Sequence, residues 1–159
     1  MPLIFACIAP HAGDLIPETI ADQNIVAPTR KSMYAMGSTL ESLKPETVVI
    51  INPHGFRVQG VLSVSVAERA TAYWASDVKL DFEMDPTIAN AIADKATEMN
   101  VPVVKYIYGA SSGPECFVPL DWGAVVPLYF MGHRFTPKPK IVHCSPMRTL
   151  PLATHYEFG

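Results

Sequence analysis

Apolar positions along this chain fall into two patterns, short unbroken runs and longer stretches with helical spacing. "LIFACIA" at residues 3–9 is unbroken and closed by Pro10, the pattern of a strand buried on both faces. A polar stretch holding Asp14, Glu18, Asp22 and Asn24 follows. From Pro28 to Lys44 the apolar positions Met33, Met36, Leu40 and Leu43 recur at helical spacing, with Pro28 suited to a first turn and Pro45 closing the segment. "TVVII" at 47–51 reads as a second buried strand, rich in β-branched residues. "GVLSVSV" at 60–66 alternates in part and suits a third strand, at an edge, and "AYW" and "VKLDFEM" before Asp85 suit short extended pieces. Asp85-Pro86 opens a helix whose apolar stripe is Ile88, Ile92, Ala96 and Met99. "VPVVKYIY" at 101–108 returns to strand character, and the Gly- and Ser-rich 109–116 reads as loop. Asp121 suits the cap of a helix through "WGAVVPLYFM", with Pro127 kinking it or marking a short first segment. The last predicted strand is "IVHCS" at 141–145, and no covering helix is evident after it.

Strand, helix and strand in this order predict an α/β fold, with a mixed, largely parallel central sheet flanked by helices. A helix between the first two strands implies parallel pairing through a right-handed crossover. Ligands of open α/β sheets sit outside the carboxyl ends of the strands. Two nearly identical phrases, "IAPHAG" at 8–13 and "INPHG" at 51–55, occupy such ends. Each proline ends ladder pairing and turns the next residue out of the sheet, while Gly13 and Gly55 leave room beside it. His11 and His54 are therefore expected on one rim, converging if their strands are neighbours.

Composition narrows the classes. The chain has 159 residues, 49% apolar and 17% charged, enough for one α/β domain over 1–159 with a sizeable core. A net charge of −3 without a basic cluster beyond "TRK" at 29–31 argues against nucleic acid as a partner. No apolar run approaches the ~20 residues of a bilayer span, and the start lacks the charged n-region of a signal peptide. Cys7, Cys116 and Cys144 lack framework spacing and read as buried, reduced thiols of a cytoplasmic protein.

Two imidazoles on one rim are two-thirds of a mononuclear metal site, and with a carboxylate they make the facial triad of non-haem Fe(II) oxygenases. Asp14, Glu115 and Asp121 are the local candidates for that carboxylate, each with a solvated or capping role as the plainer alternative. His143, inside a strand, reads as a core histidine with a hydrogen-bond partner. Cys144 beside it reads as inert, because apolar surroundings raise a thiol pKa. His133 and His155 read as exposed. "GASSGPE" lacks the lysine of a phosphate loop, and no G-x-S-x-G elbow marks a serine hydrolase. Phe56, Trp74, Tyr106 and Tyr108 suit either an aromatic pocket or core packing.

"APHAG", "NPHG" and "DWGAVVPL" in this order resemble the class III extradiol ring-cleavage dioxygenases and the related Memo-like proteins. The resemblance implies that His11 and His54 are ligands of Fe(II), or of zinc or another divalent metal. It places Asp121 and Trp122 at the family's Asp-His-Gly position, with Trp122 where the family has histidine. The implied reaction opens a catechol-type ring next to its vicinal hydroxyls with O2, as in aromatic catabolism. The family's carboxylate ligand and acid–base histidine lie in the second half of a longer chain, so the domain is expected to be incomplete at its C-terminus. Two further readings use the same residues: a non-catalytic partner subunit or binding module, and a zinc-dependent hydrolase. Apolar surface left open by a shortened sheet would favour a homo- or hetero-oligomer.

Overall fold

The computed structural model describes residues 2–74 and 78–159. Four helices and eight strands follow in the order α1 (Ala27–Ser42), β1 (Thr47–Ile51), β2 (Leu62–Ser65), β3 (Arg69–Trp74), β4 (Val78–Glu83), α2 (Pro86–Glu98), β5 (Val103–Tyr106), β6 (Tyr108–Gly109), β7 (Cys116–Pro119), α3 (Trp122–Phe130), β8 (Lys140–Ser145) and α4 (Leu152–Phe158). The architecture is mixed α/β, as the element order predicts. The first sheet has the order β1-β8-β2-β5 and the second β4-β3-β7-β6. In the first, β1 runs parallel to β8 and β2 parallel to β5, while β2 and β8 pair antiparallel.

Strand alternation decides where the core and the polar interior lie. On β8 and β2, Val142, Cys144 and Val64 face Ala89 and Ala93 of α2. The register sets Ser63 opposite Ser145 and Val64 opposite Cys144. Ser63, Ser65, His143 and Ser145 therefore share the opposite face, all buried. The main core lies on that side too, where α1, α3 and the second sheet meet over Leu40, Leu80, Phe82, Val125, Leu128 and Ile141.

Several elements differ from the sequence expectation. Residues 3–9 are extended but belong to no strand, with Leu3 and Ile8 almost fully exposed. The run is apolar enough for burial, yet β8 pairs with one edge of β1 and a cavity separates residues 2–9 from the other. The expected parallel pairing of 3–9 with 47–51 is thus absent. β1 is an edge strand with Val49 and Ile51 half exposed, rather than buried on both faces. β2, expected at an edge, is interior and wholly buried, because its serines face the polar layer beneath the candidate site.

The stripe on α2 is rotated from that expected. Ala89, Ala93 and Ala96 face the sheet, small enough for close approach, while Ile88 and Ile92 flank and Met99 is exposed. Asp85 caps this helix as expected, accepting from the Ile88 amide at 3.0 Å. The 101–108 strand breaks at Ile107 and feeds both sheets. A strand at 116–119 was hidden by Pro119, which sits where β7 ends. The chain after 145 forms α4, whose Phe158 packs against the Val64–Val142–Cys144 cluster.

Candidate functional site

His54 follows β1 directly, through Asn52 and Pro53, and His11 ends the extended segment 2–10. Their imidazoles converge as the repeated Pro-His step predicts. The two Nε2 atoms lie 3.2 Å apart, with ring centroids 5.1 Å apart and planes at 70°. Convergence survives the loss of strand pairing because the 2–10 segment is pinned elsewhere. Phe5 and Ala9 pack on the main core, and the Cys7 thiol lies 3.7 Å from Met131 Sδ.

Behind His11, the chain is fastened by a residue the sequence reading passed over. Arg30, buried on α1, donates to the carbonyls of Leu15 (2.8 Å), Asp14 (2.9 Å) and Gln23 (3.2 Å) and to Gln23 Oε1 (2.7 Å). All four acceptors are neutral, so the guanidinium acts as a clamp on the 14–23 loop rather than as half of an ion pair.

His54 is held by Asn52, a fully buried side chain that the pattern analysis also missed. Asn52 Oδ1 accepts from the His54 amide at 3.0 Å. Its Nδ2 donates to Asp121 Oδ2 at 2.9 Å and faces His143 Nε2 at 3.0 Å. With Nδ2 the donor, His143 Nε2 is the acceptor, which puts the ring proton on Nδ1, 3.0 Å from the Tyr106 hydroxyl. Burial lowers the His143 pKa to about 4, with the Asp121 charge opposing weakly, so the ring is neutral at pH 7. Burial likewise raises the Tyr106 pKa far above its usual value. The expected core histidine with a partner is therefore found, and it anchors the network under the rim. Ser145 Oγ beside it has no hydrogen-bond partner among the described residues.

Two glycines are required by this crowding. A Cβ on Gly55 would overlap Ser145 Oγ and stand 2.5 Å from His143 Cε1. A Cβ on Gly123 would overlap Asn52 Oδ1 and stand 3.0 Å from His54 Cδ2. The "NPHG" and "DWG" phrases are thus interlocked parts of one site.

Asp121 caps α3, accepting from the Gly123 amide at 2.7 Å while its other oxygen receives Asn52. Each oxygen of its carboxylate thus accepts one bond from within the site. Trp122, the first residue of α3, lies over His54 with centroids 4.6 Å apart and remains 43% exposed. Asp14 is exposed on the turn after His11, and Glu115 is exposed between β6 and β7 of the second sheet. Neither joins the histidines: among the described residues no group of three or more His, Cys, Asp or Glu side chains is placed to hold a metal ion.

The remaining candidates fall outside the rim. Burial pushes the Cys144 thiol up to about 12, in keeping with an inert core cysteine. Cys116 is also buried, but Cys7 is exposed, contrary to expectation. His133 is half-buried rather than exposed, with Nδ1 unpartnered among the described residues and its pKa lowered by burial. His155 is half-buried on α4 and bonded to the Met147 carbonyl at 3.0 Å. Phe56 stacks on Tyr106 at 4.5 Å, Trp74 packs beside Gly13, and Tyr108 is exposed.

Paired imidazoles suit a divalent metal on geometry. A point about 2.1 Å from both Nε2 atoms, the usual metal–imidazole distance, subtends an angle of about 100° for their 3.2 Å separation. That angle lies between the octahedral and tetrahedral ideals. An imidazole binds a metal through one ring nitrogen lone pair, and Trp122 shields one side of His54.

Fold and motif order together define the class, an extradiol-dioxygenase-like α/β protein. The chain belongs to the family described as the catalytic LigB subunit of aromatic ring-opening dioxygenase, which matches residues 6–159. It is also similar to Protein CA_C1420 of Clostridium acetobutylicum, 24% identical over 143 residues, which is 87% of this chain and 30% of that protein. The chain thus spans less than a third of the curated relative it matches. No described helix is long and apolar enough to cross a membrane.

Proposed function

We propose that this chain is part of a non-haem Fe(II)-dependent extradiol dioxygenase, with His11 and His54 as the two imidazole ligands. The observation that carries this reading is the 3.2 Å approach of their Nε2 atoms. Fe(II) held there would orient a vicinal diol and dioxygen side by side and pass charge between them. The chain's own residues supply the frame. Asn52 fixes the backbone of His54, Trp122 lies against its ring, and the neutral His143 holds Asn52 from below. The exposed part of Trp122 offers an apolar wall to an aromatic ring.

Trp122 donates only through its indole N–H, so it cannot take a proton from a substrate hydroxyl. Among the described residues no carboxylate completes the two histidines as a third ligand. A cytoplasmic setting is in keeping with Cys7, Cys116 and Cys144, all unpaired.

The test is oxygen uptake by anaerobically Fe(II)-loaded protein after addition of catechol and air, with zinc-loaded protein and the His11→Ala and His54→Ala variants in parallel. Uptake with the absorbance of a ring-opened product, lost in both variants and with zinc, is the expected result. Uptake no greater than that of free Fe(II) would contradict the catalytic reading. Trp122 at the family's histidine position specifically favours a second reading, a non-catalytic partner subunit of the same fold. His-dependent iron binding without turnover would support that one. Zinc-dependent ester hydrolysis lost in the same variants would instead identify the hydrolase.

A further inference from the structure

Tyr106 ends β5, at the point where the chain leaves the first sheet for the second. Its side chain reaches both ends of the 52–56 loop that carries His54. At one end the ring stacks on Phe56, with centroids 4.5 Å apart and planes at 22°. The Phe56 carbonyl in turn accepts from Ser63 Oγ on β2. At the other end the Tyr106 hydroxyl lies 3.0 Å from His143 Nδ1, and His143 Nε2 lies 3.0 Å from Asn52 Nδ2. Between the ends, Gly55 packs so closely on Ser145 and His143 that no Cβ fits. Tyr106, His143 and Asn52 are all buried, so a bond lost from this series leaves a polar atom without solvent to replace it.

Donors and acceptors in the series agree in one direction only. The His54 amide can only donate, and the Asp121 carboxylate can only accept. Between them they turn Asn52 so that Oδ1 meets the amide at 3.0 Å and Nδ2 the carboxylate at 2.9 Å. The reverse orientation would set donor against donor and acceptor against acceptor. Asn52 Nδ2 is therefore also the donor towards His143, whose Nε2 is unprotonated and whose proton sits on Nδ1. A buried Nδ1–H needs an acceptor, and the Tyr106 oxygen is placed to supply it. A hydroxyl rotates, so its own proton can turn towards Ser65, the β2 residue paired with Tyr106. Burial keeps that hydroxyl protonated, with its pKa raised far above the usual value.

We infer that Tyr106 is a positioning residue for His54, acting through its hydroxyl. By taking the Nδ1 proton it selects the His143 tautomer that accepts from Asn52, and Asn52 fixes the His54 backbone. Without the hydroxyl, either tautomer leaves a buried donor unmet: Nδ1–H has lost its acceptor, and Nε2–H would oppose Asn52 Nδ2. Relief comes by loosening Asn52, which releases the His54 amide and with it the approach of His54 to His11. Any effect on metal affinity rests on the reading of the two histidines as ligands; the tautomer and the His54 amide do not.

Tyr106→Phe isolates the hydroxyl, because it keeps the ring that stacks on Phe56. In the full protein labelled with 15N-histidine, the shifts of the two ring nitrogens report the His143 tautomer at pH 7. Hydrogen exchange reports the His54 amide, and Zn(II) titration the rim. The parent should carry the His143 proton on Nδ1. In Tyr106→Phe the His143 nitrogens should shift, the His54 amide should exchange about tenfold faster or more, and Zn(II) affinity should fall about tenfold. In an Asn52→Ala background the series is already cut, so Tyr106→Phe should cost no further Zn(II) affinity. Independent losses of packing would add instead. A parent His143 protonated on Nε2 would overturn the inference. So would a Tyr106→Phe protein with the parent's His54 exchange, or a Zn(II) loss as large with Asn52→Ala as without it. A parent that binds no Zn(II) would contradict the metal reading, and the tautomer and exchange results would still decide this one.

Discussion

Replacing Asn52 tests whether the site is a connected unit. Asn52→Ala removes three bonds from a position with no solvent access: those to the His54 amide, to Asp121 Oδ2 and to His143 Nε2. The amide and the imidazole nitrogen are each left unpartnered in the interior, at about 1–3 kcal/mol apiece. Asp121 keeps its Gly123 bond but loses one of two donors. The expected loss is roughly 3–5 kcal/mol, a large part of the 5–15 kcal/mol typical of whole domains. For a chain of this size that lowers the melting temperature by roughly 6–20 °C. Metal affinity should fall about 10–100-fold, as for other losses of support behind a ligand. Asn52→Asp keeps the shape and the acceptor for His54 but sets a second carboxylate against Asp121. Its destabilisation should shrink as the pH is lowered and one carboxylate takes a proton, whereas that of Asn52→Ala should not. Calorimetric melts of both variants at pH 5 and pH 7, beside metal titrations, supply the comparison. An Asn52→Ala protein that melts within about 2 °C of the parent, a change under about 1 kcal/mol, would refute the network.

Other consequences follow from single residues. Gly123→Ala forces a methyl group into Asn52 Oδ1 and towards His54, so roughly 1–3 kcal/mol of stability and much of the metal affinity should be lost together in urea melts and titrations. Arg30→Met leaves four acceptors around the 14–23 loop without their donor; roughly 2–4 kcal/mol should be lost, with faster hydrogen exchange confined first to that loop. The His143 pKa is depressed in the fold to about 4, so between about pH 6.5 and pH 4 the unfolded chain takes up a proton that the folded one refuses. Stability is unaffected by this group above about pH 6.5 and should decline by roughly 3 kcal/mol as the pH falls to about 4. His143→Gln should flatten that part of the pH–stability profile, measured by denaturant titration.

Local pattern made part of this fold legible. β1, β8 and the helices of 27–42 and 86–98 were readable because their β-branched runs, proline starts and Asp85 cap act over a few residues. Pairing partners were not, since a run such as 3–9 records its wish for burial but not the strand that would answer it. β2 was misplaced at an edge for a related reason: Ser63 and Ser65 look solvent-facing until His143 and Tyr106 are known to lie beneath the rim. The convergence of His11 and His54 was legible in the repeated Pro-His step. Their supports were not. The available signal for Asn52 was its place before Pro53, where an Asx side chain bonds the backbone two residues on, as it does to His54. Nothing local links it to Asp121, 69 positions away along the chain. Arg30 lay on a helix whose apolar stripe drew attention to Met33 and Leu40 instead.

The central claim is that His11 and His54 bind one divalent metal together. Anaerobic titration of Fe(II) into the parent, His11→Ala and His54→Ala proteins, read as bound iron per chain after desalting, tests it most directly. The account predicts one iron per parent chain and none retained by either variant, with circular dichroism unchanged. Iron absent from the parent, or retained when either histidine is removed, would contradict it.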